Sequence, residues 1–329
     1  MKAIVMTTHG GPEVLEYHEV EDPVLHPHQL LVKVSAAGVN FIDIYQREGI
    51  YPVELPYTPG LEGSGEVVAV GSHVDGFEVG SRVAWAGHPG SYAEMVALDA
   101  DSAVAIPEGV SDVQAAQLML QGLTAHYLTT SVFDIRPGHT ALVHAAAGGV
   151  GLLLCQLIAA RGGTVIGSVS TEQKSVAALA AGAHHIIRYD TEDILEGVMA
   201  FTNGEGVEVV YDGVGKATFA ASLASLKPRG VLALFGQSSG SVGAFDPQLL
   251  SQGGSLWLTR PSLAHYTATP EELRWRSSEL FGAVASGNLR LALERSYPLA
   301  DAGEAHSALG SRGTSGKLLV IPASSDHHA

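Results

Sequence analysis

Apolar positions along the chain follow two rhythms. Through residue 120 they come in short runs, Ala3–Thr7, Gln29–Ala36, Gly65–Val70, Arg82–Trp85 and Tyr92–Ala97, punctuated closely by Gly and Pro. That pattern predicts strands of an irregular antiparallel barrel. From about Ala125 the rhythm changes. Thr140–His144, Thr164–Val169, His184–Arg188, Val207–Asp212, Val231–Phe235 and Ser255–Thr259 read as strands. Between them Gly149–Ala160, Glu172–Ala181, Ile194–Thr202 and Ala217–Leu226 read as helices. Strand–helix alternation at this spacing predicts a parallel sheet covered by helices on both faces, hence an α/β protein. After Arg260 come a helix (Pro270–Ser286), a strand, a helix (Asp301–Leu309) and a closing strand (Lys317–Pro322), and the tail from Ala323 reads as frayed.

Composition narrows the function classes. The 329 residues are 46% hydrophobic with a mean hydropathy of +0.19, which supports a sizeable core and rules out disorder. Lys and Arg number 18 against 34 Asp and Glu, a net charge of −16. Such a field repels polyanions, so nucleic acid and anionic membranes are not expected partners. The single cysteine, Cys155, excludes an internal disulfide and a Cys-cluster metal site. In the N-terminal MKAIVMTTHGG the apolar run before Thr7–Thr8 is too short for a signal-peptide core, so a cytoplasmic location is expected. The uncharged run Pro137–Ala160 is long enough to span a bilayer. Its central Gly148, Gly149 and Gly151 read instead as a tight turn between a buried strand and a buried helix.

That turn, Ala145–Gly151, is the strongest chemical signal. A glycine turn opening a helix lets backbone N–H groups and the positive end of the helix dipole reach a pyrophosphate, and its strand–turn–helix setting is that of a dinucleotide site. NAD sites carry an acid about 20 residues further on, for the ribose hydroxyls. Here the end of the second strand offers Ser170, with Lys174 following and Arg188-Tyr189 at the end of the third strand. A missing acid beside a cation suits a 2′-phosphate, so NADPH is the expected cofactor.

HAAAGGVG, HGGPEVLE, GVNFIDIYQREGIYP, FGQSSG and LTRPSL together resemble the zinc-independent quinone oxidoreductases (zeta-crystallin-like) of the medium-chain dehydrogenase/reductase superfamily, from Met1 to about Pro322. The resemblance implies a GroES-like irregular β-barrel catalytic domain built from residues 1–122 and 261–329. It implies a Rossmann-type doubly wound cofactor domain over residues 123–260, and NADPH as hydride donor. It places Asn40, Asp43, Tyr45 and Tyr51 near the nicotinamide and substrate. For the cofactor it implicates Asn40, Thr124, Tyr127, Gly148, Gly149, Val150, Gly151, Ser170, Lys174, Tyr189, Phe235, Gly236, Gln237, Ser238, Arg260 and Pro261, with Arg312 reaching the adenosine phosphate. Gln121 departs from relatives that carry lysine.

The superfamily also contains zinc alcohol dehydrogenases, whose catalytic metal takes two thiolates and an imidazole. Aligned on motifs, those positions hold Asn40, Leu61 and Gln121, so no metal is expected. Without Zn²⁺ to polarise an alcohol, suitable acceptors are already electron-poor: a quinone, or alternatively an enone or alkenal double bond. Tyr45 and Tyr51 read either as phenolic donors to the acceptor or as an aromatic wall. A non-enzymatic alternative, a crystallin-like structural or RNA-binding protein, is weighed down by the charge. Gly236–Gly240 matches G-x-S-x-G, but a hydrolase elbow requires a helix directly after Ser238 and the following residues read as loop. The apolar Ser255–Thr259 closes the sheet and needs a cover. A homodimer through this strand is expected, with Leu256→Lys or Leu258→Lys expected to split it; the helix Pro270–Ser286 is the alternative cover.

Overall fold

The computed structural model describes residues 1–323; the His327/His328 pair and the rest of the tail read as frayed lie outside the described residues. The chain divides into two compact units, Met1–Leu123 with the chain from Thr267 onward, and Thr124–Tyr266.

In the N-terminal part lie β1 (Lys2–Val5), β2 (Glu16–Glu19), β3 (Gln29–Val39), helix α1 (Phe41–Arg47), β4 (Glu62–Val70), β5 (Arg82–Ala86), β6 (Met95–Asp99), β7 (Ala103–Ala105) and helix α2 (Asp112–Tyr127). The second unit continues with β8 (Thr140–Val143), α3 (Gly149–Ala160), β9 (Thr164–Val169), α4 (Glu172–Ala180), β10 (His185–Arg188), α5 (Ile194–Phe201) and β11 (Val207–Asp212). It closes with α6 (Phe219–Ala224), β12 (Leu226–Leu234), α7 (Gln248–Gln252) and β13 (Trp257–Thr259). The chain then returns to the first unit with α8 (Pro270–Ala285), β14 (Leu293–Pro298), α9 (Ala302–Gly310) and β15 (Lys317–Ile321).

The first unit is organised by β3, which pairs with β4, β6 and β15 in antiparallel fashion. Its alternating Leu30, Val32 and Val34 turn into a buried core with Trp85, Val96 and Leu318. The strand pairs within residues 1–120 are antiparallel, as expected, while the later β14–β15 pair is parallel. Between Leu293–Pro298 and Lys317–Ile321 the chain crosses over through α9, the kind of connection that parallel pairing requires.

The second unit carries a six-stranded parallel sheet in the order β10-β9-β8-β11-β12-β13. The chain winds outward from β8 in one direction and from β11 in the other, so the topological switch point lies between those two strands. Leu142, Ile166, Ile187, Val210 and Leu232 form the buried centre, the near-continuous apolar strands that a two-sided cover demands.

Several details differ from the sequence reading. Strand β12 begins at Leu226, five residues early, and Phe235 lies beyond its end. Strand β13 spans only Trp257–Thr259, because Ser255 adopts a left-handed φ of 59° and breaks the run. It is the edge strand, as expected. Leu256, however, is buried in the unit's own core, so the expectation for Leu256→Lys is corrected: a lysine there would disrupt folding and cannot report on a dimer. Trp257 is the side chain that faces out, 68% exposed.

Candidate active site

In the second unit, the residues singled out in the sequence gather where the parallel strands end, the edge at which open α/β sheets bind ligands. β8 delivers His144 and then Ala145, whose φ of 49° is left-handed despite its methyl group. The Ala146 N–H donates to the Ser168 carbonyl at 3.1 Å and the Gly148 N–H to the Ala145 carbonyl at 2.8 Å, closing the turn. Gly148 caps α3. At Gly151 a Cβ would stand 2.3 Å from the Ala145 oxygen and 2.8 Å from the Ala146 Cα. Only glycine allows the helix to start this close to the strand end, leaving its first-turn N–H groups at the mouth of the turn.

A buried polar network underlies the turn. His144 Nδ1 lies 2.8 Å from Ser168 Oγ and its Nε2 3.0 Å from Ser222 Oγ. Ser222 Oγ donates to Asp212 Oδ2 at 2.7 Å, so Ser222 must accept from a protonated His144 Nε2, and Ser168 donates to Nδ1. Burial pushes the His144 imidazole below its usual range, consistent with this neutral tautomer. The other Asp212 oxygen accepts from Val214 N and Gly215 N at 2.8 and 2.9 Å. The network thus ties the ends of β8, β9 and β11 together. With Ser168 and Ser222 fully buried, it supports the turn and presents no nucleophile.

Beside it, β9 ends at Val169 and Thr171 caps α4, accepting from Lys174 N at 3.3 Å. Ser170 therefore lies at the strand end and Lys174 in the first turn of α4. Tyr189, half exposed, follows β10 and donates its N–H to the Val169 carbonyl at 3.1 Å. Arg188 is held by Glu172 and Asp190 at 3.1 and 2.8 Å. On the far side of the switch point, Phe235–Ser238 follow β12. A Cβ on Gly236 would meet the Gly213 carbonyl at 2.4 Å, and Ser238 N donates to that carbonyl at 3.2 Å. No helix follows Ser238 until α7, which removes the hydrolase elbow. Arg260 Nη1 donates to the Leu234 carbonyl at 2.9 Å, just ahead of buried Pro261. Tyr127 is buried and stacks on Tyr266, ring centroids 4.4 Å apart. Thr124, also buried, lies one turn earlier on α2.

The first unit holds the remaining candidates. Asn40 caps α1, and its N–H donates to Asp43 Oδ2 at 2.8 Å. Asp43 is fully buried, and its Oδ1 has no partner. Desolvation raises its carboxyl to about 7. This places Asp43 beneath Asn40, as a cap that orients α1, and removes it from the groups able to touch a substrate. Arg47 Nη1 lies 3.4 Å from His306 Nδ1, His306 Nε2 lies 3.1 Å from the Tyr92 hydroxyl, and that hydroxyl donates to Asp43 Oδ2 at 3.4 Å. The Tyr45 and Tyr51 rings meet edge to face at 5.3 Å. Arg312 stands exposed just past α9, with a left-handed φ of 58°.

Two residues not singled out in the sequence complete the surroundings of Asn40. Lys317, the first residue of β15, and Glu62, the first of β4, form a buried ion pair. Lys317 Nζ also donates to Asn40 Oδ1 at 2.8 Å, Asn40 Nδ2 donates to Glu62 Oε1 at 2.7 Å, and Leu120 N donates to Glu62 Oε2 at 2.6 Å. Gln121 Nε2 donates to Asn40 Oδ1 at 3.3 Å. A zinc ion does not fit this donor set. Asn40 and Gln121 offer amides, Leu61 an aliphatic chain, and the ammonium of Lys317 repels a cation. The available signal was a lone charge in each of two apolar or glycine-rich runs, KLLVI and GLEG.

Comparison with known proteins agrees with this architecture. An alcohol dehydrogenase GroES-like domain matches residues 26–108 and a zinc-binding dehydrogenase domain matches residues 149–270. The chain is 44% identical to a quinone oxidoreductase of Pseudomonas aeruginosa, over 98% of this chain and 99% of the other. It is 39% identical to a 2-haloacrylate reductase of a Burkholderia species, over 97% and 98%. The crystal structure of Escherichia coli quinone oxidoreductase complexed with NADPH superposes with a TM-score of 0.96 at 43% identity, covering 98% of this chain and all of that one. The chain belongs to the quinone oxidoreductase family of the medium-chain dehydrogenase/reductase superfamily.

Proposed function

We propose that this protein is an NADPH-dependent quinone reductase that works without zinc. The observation that carries the reading is the edge of the parallel sheet. A glycine turn fit for a pyrophosphate stands beside Ser170 and Lys174, where an NAD enzyme has an acid. The first-turn N–H groups of α3 hold the pyrophosphate, and Ser170, Lys174 and Tyr189 take the 2′-phosphate. Thr124, Tyr127, Phe235–Ser238 and Arg260–Pro261 bind the rest of the cofactor. NADPH supplies the hydride when bound. On the protein side, Asn40, Tyr45 and Tyr51 orient the acceptor and donate hydrogen bonds to its oxygen as negative charge develops there. Asp43 acts through the start of α1.

Among the described residues no helix is long and apolar enough to cross a membrane. The free, buried thiol of Cys155 suits a reducing compartment, and we place the enzyme in the cytoplasm. The exposed Trp257 on edge strand β13 supports a homodimer paired through this strand. A second reading, reduction of a C=C bond conjugated to a carbonyl, is favoured by the likeness to the 2-haloacrylate reductase. Steady-state assays on chelator-treated protein, with NADPH and NADH against a quinone panel and an enone panel, test both readings. Turnover of quinones with NADPH supports the proposal. Turnover of enones alone selects the second reading, and activity that returns only with added zinc refutes the metal-free assignment.

A further inference from the structure

We propose that Lys317 is a positioning residue for this reaction, a tethered ammonium that stands in for the metal cation and sharpens Asn40 as a hydrogen-bond donor. The inference rests on the reductase reading above. Its starting point is a disagreement between the dehydrogenase ancestry and the residues present. At two of the three positions aligned with zinc ligands, the amides of Asn40 and Gln121 are joined to each other, and the positive charge among them is Lys317 Nζ.

Asn40 is pinned from every side. Its Oδ1 accepts from Lys317 at 2.8 Å and from Gln121 at 3.3 Å, and one of its two amide hydrogens goes to Glu62. Flipping the amide would place its N–H₂ against two donors and its oxygen against a carboxylate, so one orientation alone is tolerated. Lys317 is 3% exposed and Glu62 0%, so the pair acts in a low-dielectric setting where hydrogen bonds polarise one another. An ammonium on Oδ1 draws electron density through the amide and makes the remaining Nδ2–H a stronger donor. An acceptor oxygen gaining negative charge during hydride transfer benefits from that donor more than the neutral ground state does, which raises kcat with little change in KM. Glu62, anchored by Leu120 N, balances the charge and keeps the ammonium in place.

The test compares Lys317→Arg, the charge-free pair Lys317→Met with Glu62→Gln, and Gln121→Leu in the full chain. Melting temperature, NADPH dissociation constant by cofactor fluorescence, and kcat and KM for a quinone are measured for each. The charge-free pair is expected to keep NADPH affinity and KM and to lose on the order of tenfold in kcat, about the difference between one charge-assisted and one neutral hydrogen bond. Lys317→Arg should recover most of that loss, and Gln121→Leu should lower kcat by roughly threefold through the same oxygen. A purely structural role predicts a lower melting temperature with unchanged kcat, and that result overturns the proposal, as does a loss confined to KM or cofactor affinity. If the charge-free pair does not fold, Gln121→Leu decides alone: wild-type kcat in that variant sinks the idea. An unaltered protein that turns over neither quinones nor enones refutes the reductase reading itself, and this inference falls with it.

Discussion

Replacing Gly151 by alanine tests the turn at its tightest point. The new Cβ would lie 2.3 Å from the Ala145 carbonyl oxygen and 2.8 Å from the Ala146 Cα, against ordinary contacts of about 3.5 Å. Both obstacles are backbone, and both are tethered, Ala145 O by the Gly148 N–H and Ala146 N by the Ser168 carbonyl. The turn must open by about 1 Å, losing one or both hydrogen bonds at about 1 kcal/mol each, with overpacking of about 1–3 kcal/mol. Better helix propensity returns about 1 kcal/mol. The net cost is about 1–4 kcal/mol, each kcal/mol lowering Tm by about 2–4 °C. Misaimed N–H groups at the start of α3 forfeit one or two charge-assisted bonds to the pyrophosphate, weakening the cofactor by about 10- to 100-fold. NADH and NADPH share that pyrophosphate, so both should weaken equally. Gly148→Ala is the control, since φ there is −74° and the added Cβ would meet the same oxygen at 3.2 Å. Fluorescence titration and thermal melts of the two variants provide the assay. Wild-type binding by Gly151→Ala, equal damage from Gly148→Ala, or a loss selective for NADPH would refute the reasoning.

Four further outcomes are expected. Lys174→Ala should weaken NADPH by about 1.5–3 kcal/mol and leave NADH almost unchanged; equal losses in parallel titrations would sink the 2′-phosphate assignment. Lys317→Met alone strands the Glu62 carboxylate and should cost about 3–5 kcal/mol in urea melts, part of it recovered by adding Glu62→Gln; strictly additive costs would contradict the buried pair. Burial holds His306 near 3 and raises Asp43 to about 7, so between about pH 4 and 6.5 the unfolded chain takes the extra proton at His306 and the folded chain at Asp43, and two opposing slopes of about 1.4 kcal/mol per pH unit cancel. His306→Gln removes the rising contribution and keeps the falling one, so between about pH 4 and 6.5 its slope of stability against pH should be more negative than that of the unaltered protein by about 1.4 kcal/mol per pH unit; an unchanged slope would disprove it. Trp257→Lys should convert a dimer to monomers in light scattering without lowering activity per folded chain, and an unaltered protein that is already monomeric at micromolar concentration ends the dimer proposal.

Much of this architecture is legible in the amino-acid order, for local reasons. Helix α3 begins and ends where the glycine turn and the continuous apolar run after it predict, and β9 and β11 match to the residue. Apolar runs of strand or helix length bounded by turn residues make such elements readable. Helix α1 passes unnoticed because its seven residues, Phe41–Arg47, are too few to display a period. The seating of Asp43 is equally hidden, since its burial depends on Tyr92 and His306, distant in the chain. Lys317 and Glu62 are 255 positions apart, and no spacing rule joins them. Chemistry borne by a loop after a strand is visible in one dimension, whereas chemistry assembled from two strand starts waits for the fold.

The His144–Ser168–Ser222–Asp212 network has an evolutionary consequence. It seals the foundation of the turn with side chains whose hydrogen-bond donors are all engaged with one another, so drift at those positions is penalised whichever cofactor is used. Ser170, Lys174 and Tyr189 lie outside that foundation at the half-buried or exposed strand ends. With the 2′-phosphate assigned as proposed to these side chains, cofactor preference is uncoupled from foldability. A lineage of such enzymes can exchange one nicotinamide currency for the other through a few rim substitutions, each intermediate remaining a folded protein.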